Sequence, residues 1–128
     1  MAVVGEPGVI GYSRPPSFVN SPEMEPYDGI VLRYNFPNYF AGSVLAHEAA
    51  HLMNIRHVLG TTNDPGLEDN CDSDDWFSDT PNTIGNSSGC RLSSESCGRL
   101  DNIKNIMDYG NCSRMFTEGQ ATIMINAL

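Results

Sequence analysis

Apolar and polar residues are patterned only in places along this chain, and those places predict its regular elements. The first stretch, 1–28, is rich in Pro and Gly. Its one short apolar run, Val9-Ile10-Gly11-Tyr12, predicts a single edge strand, stopped by Pro15 and Pro16. GIVLRYNF, Gly29 to Phe36, is dense in β-branched and aromatic residues and predicts the best strand of the chain. From Ala41 to Ile55 the pattern becomes helical. Leu45, Ala49, Leu52 and Met53 form an apolar stripe, and Ser43 stands where an N-cap is expected. Between Gly60 and Gly98 no period is sustained, so a long irregular region is expected, of the kind that needs a staple to stay ordered. A short apolar piece, Ile103 to Tyr109, follows. Thr117-x-x-Gln120 fits a capping box, and Ile123, Met124 and Leu128 continue at helical spacing, predicting a final helix. These elements read as one α+β domain over 1–128.

Composition narrows the function classes. The 128 residues carry 16 acidic and 7 basic side chains, a formal charge of −9. That balance argues against a nucleic-acid partner or an anionic membrane surface, both of which call for clustered Lys and Arg. No apolar run approaches the roughly 20 residues needed to span a bilayer, so membrane insertion is not expected. The first residues lack the basic and apolar regions of a signal peptide. Cys71, Cys90, Cys97 and Cys112 contain no C-x-x-C pair, which disfavours a zinc ribbon and favours two disulfides, hence a secreted, extracellular chain. Spacing alone leaves all three pairings open.

All three histidines of the chain lie in HEAAHLMNIRH. His47 and His51, four residues apart, share one helix face about 6 Å apart along the axis, so both imidazoles reach one metal. Glu48 lies beside that metal without binding it, where a carboxylate can take a proton from metal-bound water. His57 would point away if the helix continued, roughly 240° around and about 9 Å along from His51. It joins only if the helix stops first, and Asn54, tolerant of left-handed φ, stands where the stop is needed. Three protein ligands leave a fourth position open, the pattern of a catalytic rather than a structural zinc.

H-E-x-x-H-x-x-N-x-x-H resembles the metzincin metallopeptidases. CDSDDWFSDTPN, the spaced cysteines, NIMDYG and MFTEGQ narrow the resemblance to the pappalysin family, in order from about residue 8 to the C-terminus. The resemblance implies a zinc-dependent endopeptidase acting on a protein or peptide substrate, with His47, His51 and His57 as zinc ligands and Glu48 as general base. It implies that Met107 is the Met-turn methionine and that Tyr109 stabilises the oxyanion. It implies calcium in the acidic loop, with Asp75 and Thr80 the best-matched ligands and Asp64, Asp74 and Asp79 further candidates, in keeping with oxygen ligands for a hard cation. It pairs Cys71 with Cys97 and Cys90 with Cys112. It makes Val9–Ser13 the edge strand that receives an extended substrate, with Gly29–Phe36 as its neighbour.

Three departures accompany the resemblance. Asn54 replaces the more usual Gly. Where relatives that prefer a basic residue after the cleaved bond carry an acid, this chain offers Asp108, Gly110 and Asn111, so a basic preference does not carry over. The N-terminal strands and long backing helix of a metzincin domain have almost no counterpart before Val9. The expectation is therefore a metzincin-like domain with a small mixed sheet, N-terminally incomplete. Residues 1–57 would form its upper half, with the edge strand and active-site helix, and residues 58–128 its lower half. Either the sequence is a fragment, or the domain is unusually reduced, or a pro-segment or partner completes the missing layer. The alternatives are a non-catalytic zinc- and calcium-stabilised binding module or inactive peptidase fragment, and a zinc amidase, which the edge strand disfavours.

Overall fold

The computed structural model describes residues 9–16, 22–23, 29–35 and 38–128, with backbone alone for 38–41. It divides into two compact units, Met1–Asn54 and Ile55–Leu128.

In the first unit, β1 (Gly11–Ser13) pairs antiparallel with β2 (Ile30–Leu32), placing Gly11 opposite Leu32, Tyr12 opposite Val31 and Ser13 opposite Ile30. The Arg33 N–H donates to the Ile10 carbonyl at 2.9 Å, one step beyond the ladder. Both strands are shorter than their apolar runs suggest, and Phe36 lies outside the described residues. Helix α1 (Asn38–Leu52) packs against both strands. It starts three residues before the expected Ala41 and ends three before Ile55. Ser43 is therefore inside the helix and not its cap, a position serine tolerates at small cost. Leu45, expected to face inward, is 48% exposed, whereas Glu48 is 6% exposed. Some of the buried surface of α1 is thus given to a carboxylate rather than to the apolar stripe. The helix closes in a tight turn. Met53 N–H donates to the Ala50 carbonyl and Asn54 N–H to that of His51, each at 3.0 Å, and Asn54 takes φ 64°.

The second unit has little regular structure and a core of Ile55, Val58, Leu59, Ile103, Met107 and Cys112. Buried side-chain amides do much of what a sheet would do. The Asn70 Nδ2 donates to the carbonyls of Asp64 and Ile84, both at 2.9 Å, while its Oδ1 accepts from the Thr62 hydroxyl at 2.7 Å. Asn105 Nδ2 donates to Gln120 Oε1 at 3.0 Å, and its Oδ1 accepts from Met107 N–H. Cys71 is bonded to Cys97 and Cys90 to Cys112. The chain-entropy argument gives each such loop about 3 kcal/mol, enough to matter in a unit this irregular.

Two elements in the region without period are local in origin. A 3₁₀ turn, Glu68–Asp72, carries Asn70 and Cys71. Strands β3 (Glu95–Ser96) and β4 (Arg99–Leu100) form a minimal hairpin. Its two loop residues, Cys97 at φ 51° and Gly98 at φ 75°, both take the left-handed region, as a tight two-residue hairpin turn requires. Helix α2 (Glu118–Asn126) starts at the expected capping box. Thr117 Oγ1 accepts from Gln120 N–H, and Gln120 Oε1 accepts from Thr117 N–H. Its apolar residues are not its buried face, however. Ile123 and Ile125 are exposed, as is Leu128 beyond the helix end, and the fully buried side chain of the helix is Gln120.

Candidate metal centre

The metal candidates sit on either side of the Asn54 turn. His47 and His51 lie one turn apart on α1 with ring centroids 4.8 Å apart, edge to face. His57 follows three residues after Asn54, in a turn closed by the Gly60 N–H donating to its carbonyl at 2.9 Å. Gly60 has φ 87°, and a Cβ there would fall 2.2 Å from Ser73 Oγ, so glycine is required. Each histidine offers one nitrogen, and these three atoms lie within 4.8 Å of one another. Two nitrogens on one zinc are about 3.4 Å apart in a tetrahedral site, from bond lengths of 2.0–2.1 Å. Ring rotations that draw the atoms together by roughly 1 Å would therefore satisfy the ion, and neutral imidazoles suit it chemically. Among the described residues these histidines are the one group of three or more His, Cys, Asp or Glu side chains that could share an ion.

Glu48 is buried within the first unit. The Ser13 hydroxyl donates to Glu48 Oε2 and to the Glu48 carbonyl, both at 2.8 Å. Burial raises its pKa above the ordinary carboxylate value, while Ser13 and then His51 pull it back down. Ser13, and Gly11 beside it, have no place in the sequence motif. The only signal was their alternation in Gly-Tyr-Ser, which puts 11 and 13 on one face of a strand.

In the second unit, Met107 is fully buried and its carbonyl accepts from the N–H of Val58, the residue after His57. The Tyr109 hydroxyl lies 3.1 Å from Nε2 and 3.3 Å from Nδ1 of His57. Asp108, between them, is buried. Its Oδ1 accepts from the N–H groups of Asn86 and Tyr109, each at 2.9 Å, so it is not an acid presented to a basic substrate side chain. Burial pushes its pKa up to about 6.

The acidic-loop candidates are distributed. Both carboxylate oxygens of Asp75 accept from the Thr80 hydroxyl, at 2.7 and 2.8 Å, and Oδ1 also accepts from Phe77 N–H. Burial raises the Asp75 pKa, with Asp74 adding to the effect after the opposing hydrogen bonds from Thr80 and Phe77. Asp74 Oδ1 accepts from the N–H of Trp76, which is held at φ 73° with the Arg56 guanidinium 3.5 Å over its ring. Asp79 serves α2 by accepting from the Thr117 hydroxyl at 3.0 Å and from Gly119 N–H at 2.7 Å. The side chain of Asp64 is exposed, and its carbonyl is the group bound to Asn70.

Comparison with known proteins decides the family. The family model described as pregnancy-associated plasma protein-A, a peptidase family, matches residues 20–128. The chain belongs to the pappalysin family. Membership of this metallopeptidase family implies a metal, typically zinc. An extracellular metalloprotease of Sordaria macrospora is 33% identical over 128 residues, covering 90% of this chain and 42% of the relative. Extracellular metalloprotease 1 of Coccidioides posadasii is 37% identical over 91 residues, covering 67% of this chain and 30% of the relative. The fold is similar to that of mature mirolysin from Tannerella forsythia in complex with a cleaved peptide, with TM-score 0.72, 28% identity, and coverage of 93% of this chain and 47% of mirolysin. This pappalysin chain thus spans less than half the length of the curated relatives it matches. Among the described residues no helix is long and apolar enough to cross a membrane.

Proposed function

We propose that this chain carries the catalytic centre of a secreted zinc endopeptidase. The carrying observation is the grouping of one nitrogen each from His47, His51 and His57 within 4.8 Å, on a segment where Glu48 adjoins His47. Bound to those three nitrogens, zinc supplies a Lewis acid and a water whose pKa is lowered towards about 7. The protein's own groups do the rest. Glu48, buried and with its proton affinity raised, accepts a proton and returns it to the leaving amine. Tyr109 directs its hydroxyl at the charge that develops on the scissile carbonyl oxygen. Strand β1, flanked by β2, offers main-chain hydrogen bonds to an extended peptide, which suits a protein substrate better than a small amide.

The extracellular names of the relatives and the two disulfides support secretion. Calcium at the acidic loop belongs to the same reading. Asp75 and Thr80 bring oxygen ligands together, and a cation would relieve the cost of a buried carboxylate there. The test is digestion of an unfolded protein by purified zinc-loaded protein. Activity lost on chelation and restored by zinc supports the proposal; a zinc-loaded, folded protein that cuts nothing contradicts it.

A further inference from the structure

We propose that β1 is built to hold the Glu48 side chain, and that Ser13 is a positioning residue for that carboxylate. The functional half of this inference rests on the role given to Glu48 above. The geometric half belongs to the first unit alone.

Residues 11 and 13 face the same side of β1 because strand side chains alternate. Both meet Glu48. The Ser13 hydroxyl donates to Oε2 and to the carbonyl of the same residue, each at 2.8 Å. One side chain thus references the Glu48 carboxylate to its own backbone. The other oxygen depends on Gly11. A Cβ at Gly11 would lie 3.1 Å from Glu48 Oε1, 2.9 Å from Leu32 Cδ2 and 3.2 Å from Val44 Cγ1. A side chain there would compete with the carboxylate for space walled by β2 and α1. Gly11 leaves room for Oε1 and Ser13 ties down Oε2.

The physical need is clear. A glutamate has three rotatable bonds, and on a helix it reaches water easily by turning outward. A buried carboxylate also requires a donor to offset its lost hydration. A general base is useful only when it is held within about 0.5 Å of its working position. The Gly11-Tyr12-Ser13 cradle answers these needs using the strand proposed to bind substrate, so the backbone that places the peptide also places the base.

The first measurement needs no metal. Thermal melts of metal-free protein would compare Ser13→Ala in the native background and in Glu48→Ala. We expect Ser13→Ala to lower Tm by several degrees when Glu48 is present, and by less than half as much when its carboxylate is gone. Equal losses would mean that the hydroxyl acts only through the Glu48 carbonyl, and would overturn the cradle. The second measurement is steady-state kinetics of the zinc-loaded protein. Ser13→Ala should lower kcat by about 10- to 100-fold, the scale of an active group misplaced by an ångström. KM and zinc content should stay as they were, and Ser13→Thr should recover most of the loss. Unchanged kcat in Ser13→Ala would overturn the positioning role even if the melts showed coupling. If the native protein cuts no peptide, the peptidase assignment fails, while the melts still decide whether the cradle exists.

Discussion

The Tyr109 hydroxyl stands almost equidistant from the two ring nitrogens of His57, 3.1 Å from Nε2 and 3.3 Å from Nδ1. A hydrogen bond to one lone pair would favour one nitrogen clearly, so this is contact with the ring rather than a committed bond. In the proposed mechanism this hydroxyl, set beside a zinc ligand, serves the developing oxyanion. Tyr109→Phe should therefore lower kcat by about 100-fold, the usual scale for one such donor, with zinc content and KM little changed. Loss of zinc in the variant would instead make the tyrosine a support for His57.

Asn70 is fully buried and joins three partners: Thr62, Asp64 and Ile84. Replacing it with alanine takes this donor from two part-buried carbonyls, of which that of Ile84 still accepts from Gly66 N–H at 2.7 Å, and removes the acceptor for the Thr62 hydroxyl. At roughly 1–3 kcal/mol for an unsatisfied buried group, Asn70→Ala should destabilise the second unit by about 1–3 kcal/mol. Urea denaturation checks this. A loss under 1 kcal/mol would show that water replaces the amide and that Asn70 does not organise the loops.

How far the chain could be read from sequence follows from where its information lies. HEAAHLMNIRH was legible because metal chemistry fixes ligand spacing, and Asn54 was legible because few residues accept φ 64°. The α2 start was legible because capping is local: Thr117 and Gln120 need only each other. Ser43 misled because a cap-forming residue is also tolerated mid-helix, and nothing local announced that α1 already runs from Asn38. Leu45 misled because an apolar stripe marks the inward face only when no buried carboxylate, here Glu48, takes a share of that surface. The second unit resisted because its order comes from Asn70, Asn105 and two disulfides, contacts between residues far apart in sequence that leave no period. The Cys97-Gly98 turn carried a weak signal in its glycine, obscured by strands of two residues each. Ser13 was not legible, since its partner lies 35 residues away.

Asp108 links stability to pH. Its carboxyl is held at about 6 when folded, against an ordinary value near 3.9, because burial disfavours its charge. Between those values the folded state binds more protons than the unfolded state, so this group's contribution to stability falls as pH rises from about 4 to 6, then levels off. The full effect is of order 2–3 kcal/mol. Asn at this position keeps an oxygen for the Asn86 and Tyr109 N–H groups without the charge. Asp108→Asn should therefore melt above the native protein at pH 7–8, with the advantage vanishing near pH 4. A difference that stays constant from pH 4 to 8 would contradict the assignment.

The calcium proposed at Asp75 and Thr80 can be tested separately from the zinc. A chelator selective for calcium over zinc should lower Tm by several degrees, and added calcium should restore it, since a ligand at about 100 times its Kd adds about 2.7 kcal/mol. Asp75→Asn should abolish the response. A Tm indifferent to calcium would leave Asp75 as a structural acceptor for Thr80 and Phe77.

The central claim is that Glu48 acts at a zinc held by His47, His51 and His57 to hydrolyse peptide bonds. The most direct measurement is cleavage of a diverse peptide pool by zinc-loaded protein, beside Glu48→Ala carrying the same zinc content. We predict cuts by the native protein, with a readable side-chain preference, that disappear in Glu48→Ala. No cuts by either protein, with zinc bound and the fold intact, would contradict the account.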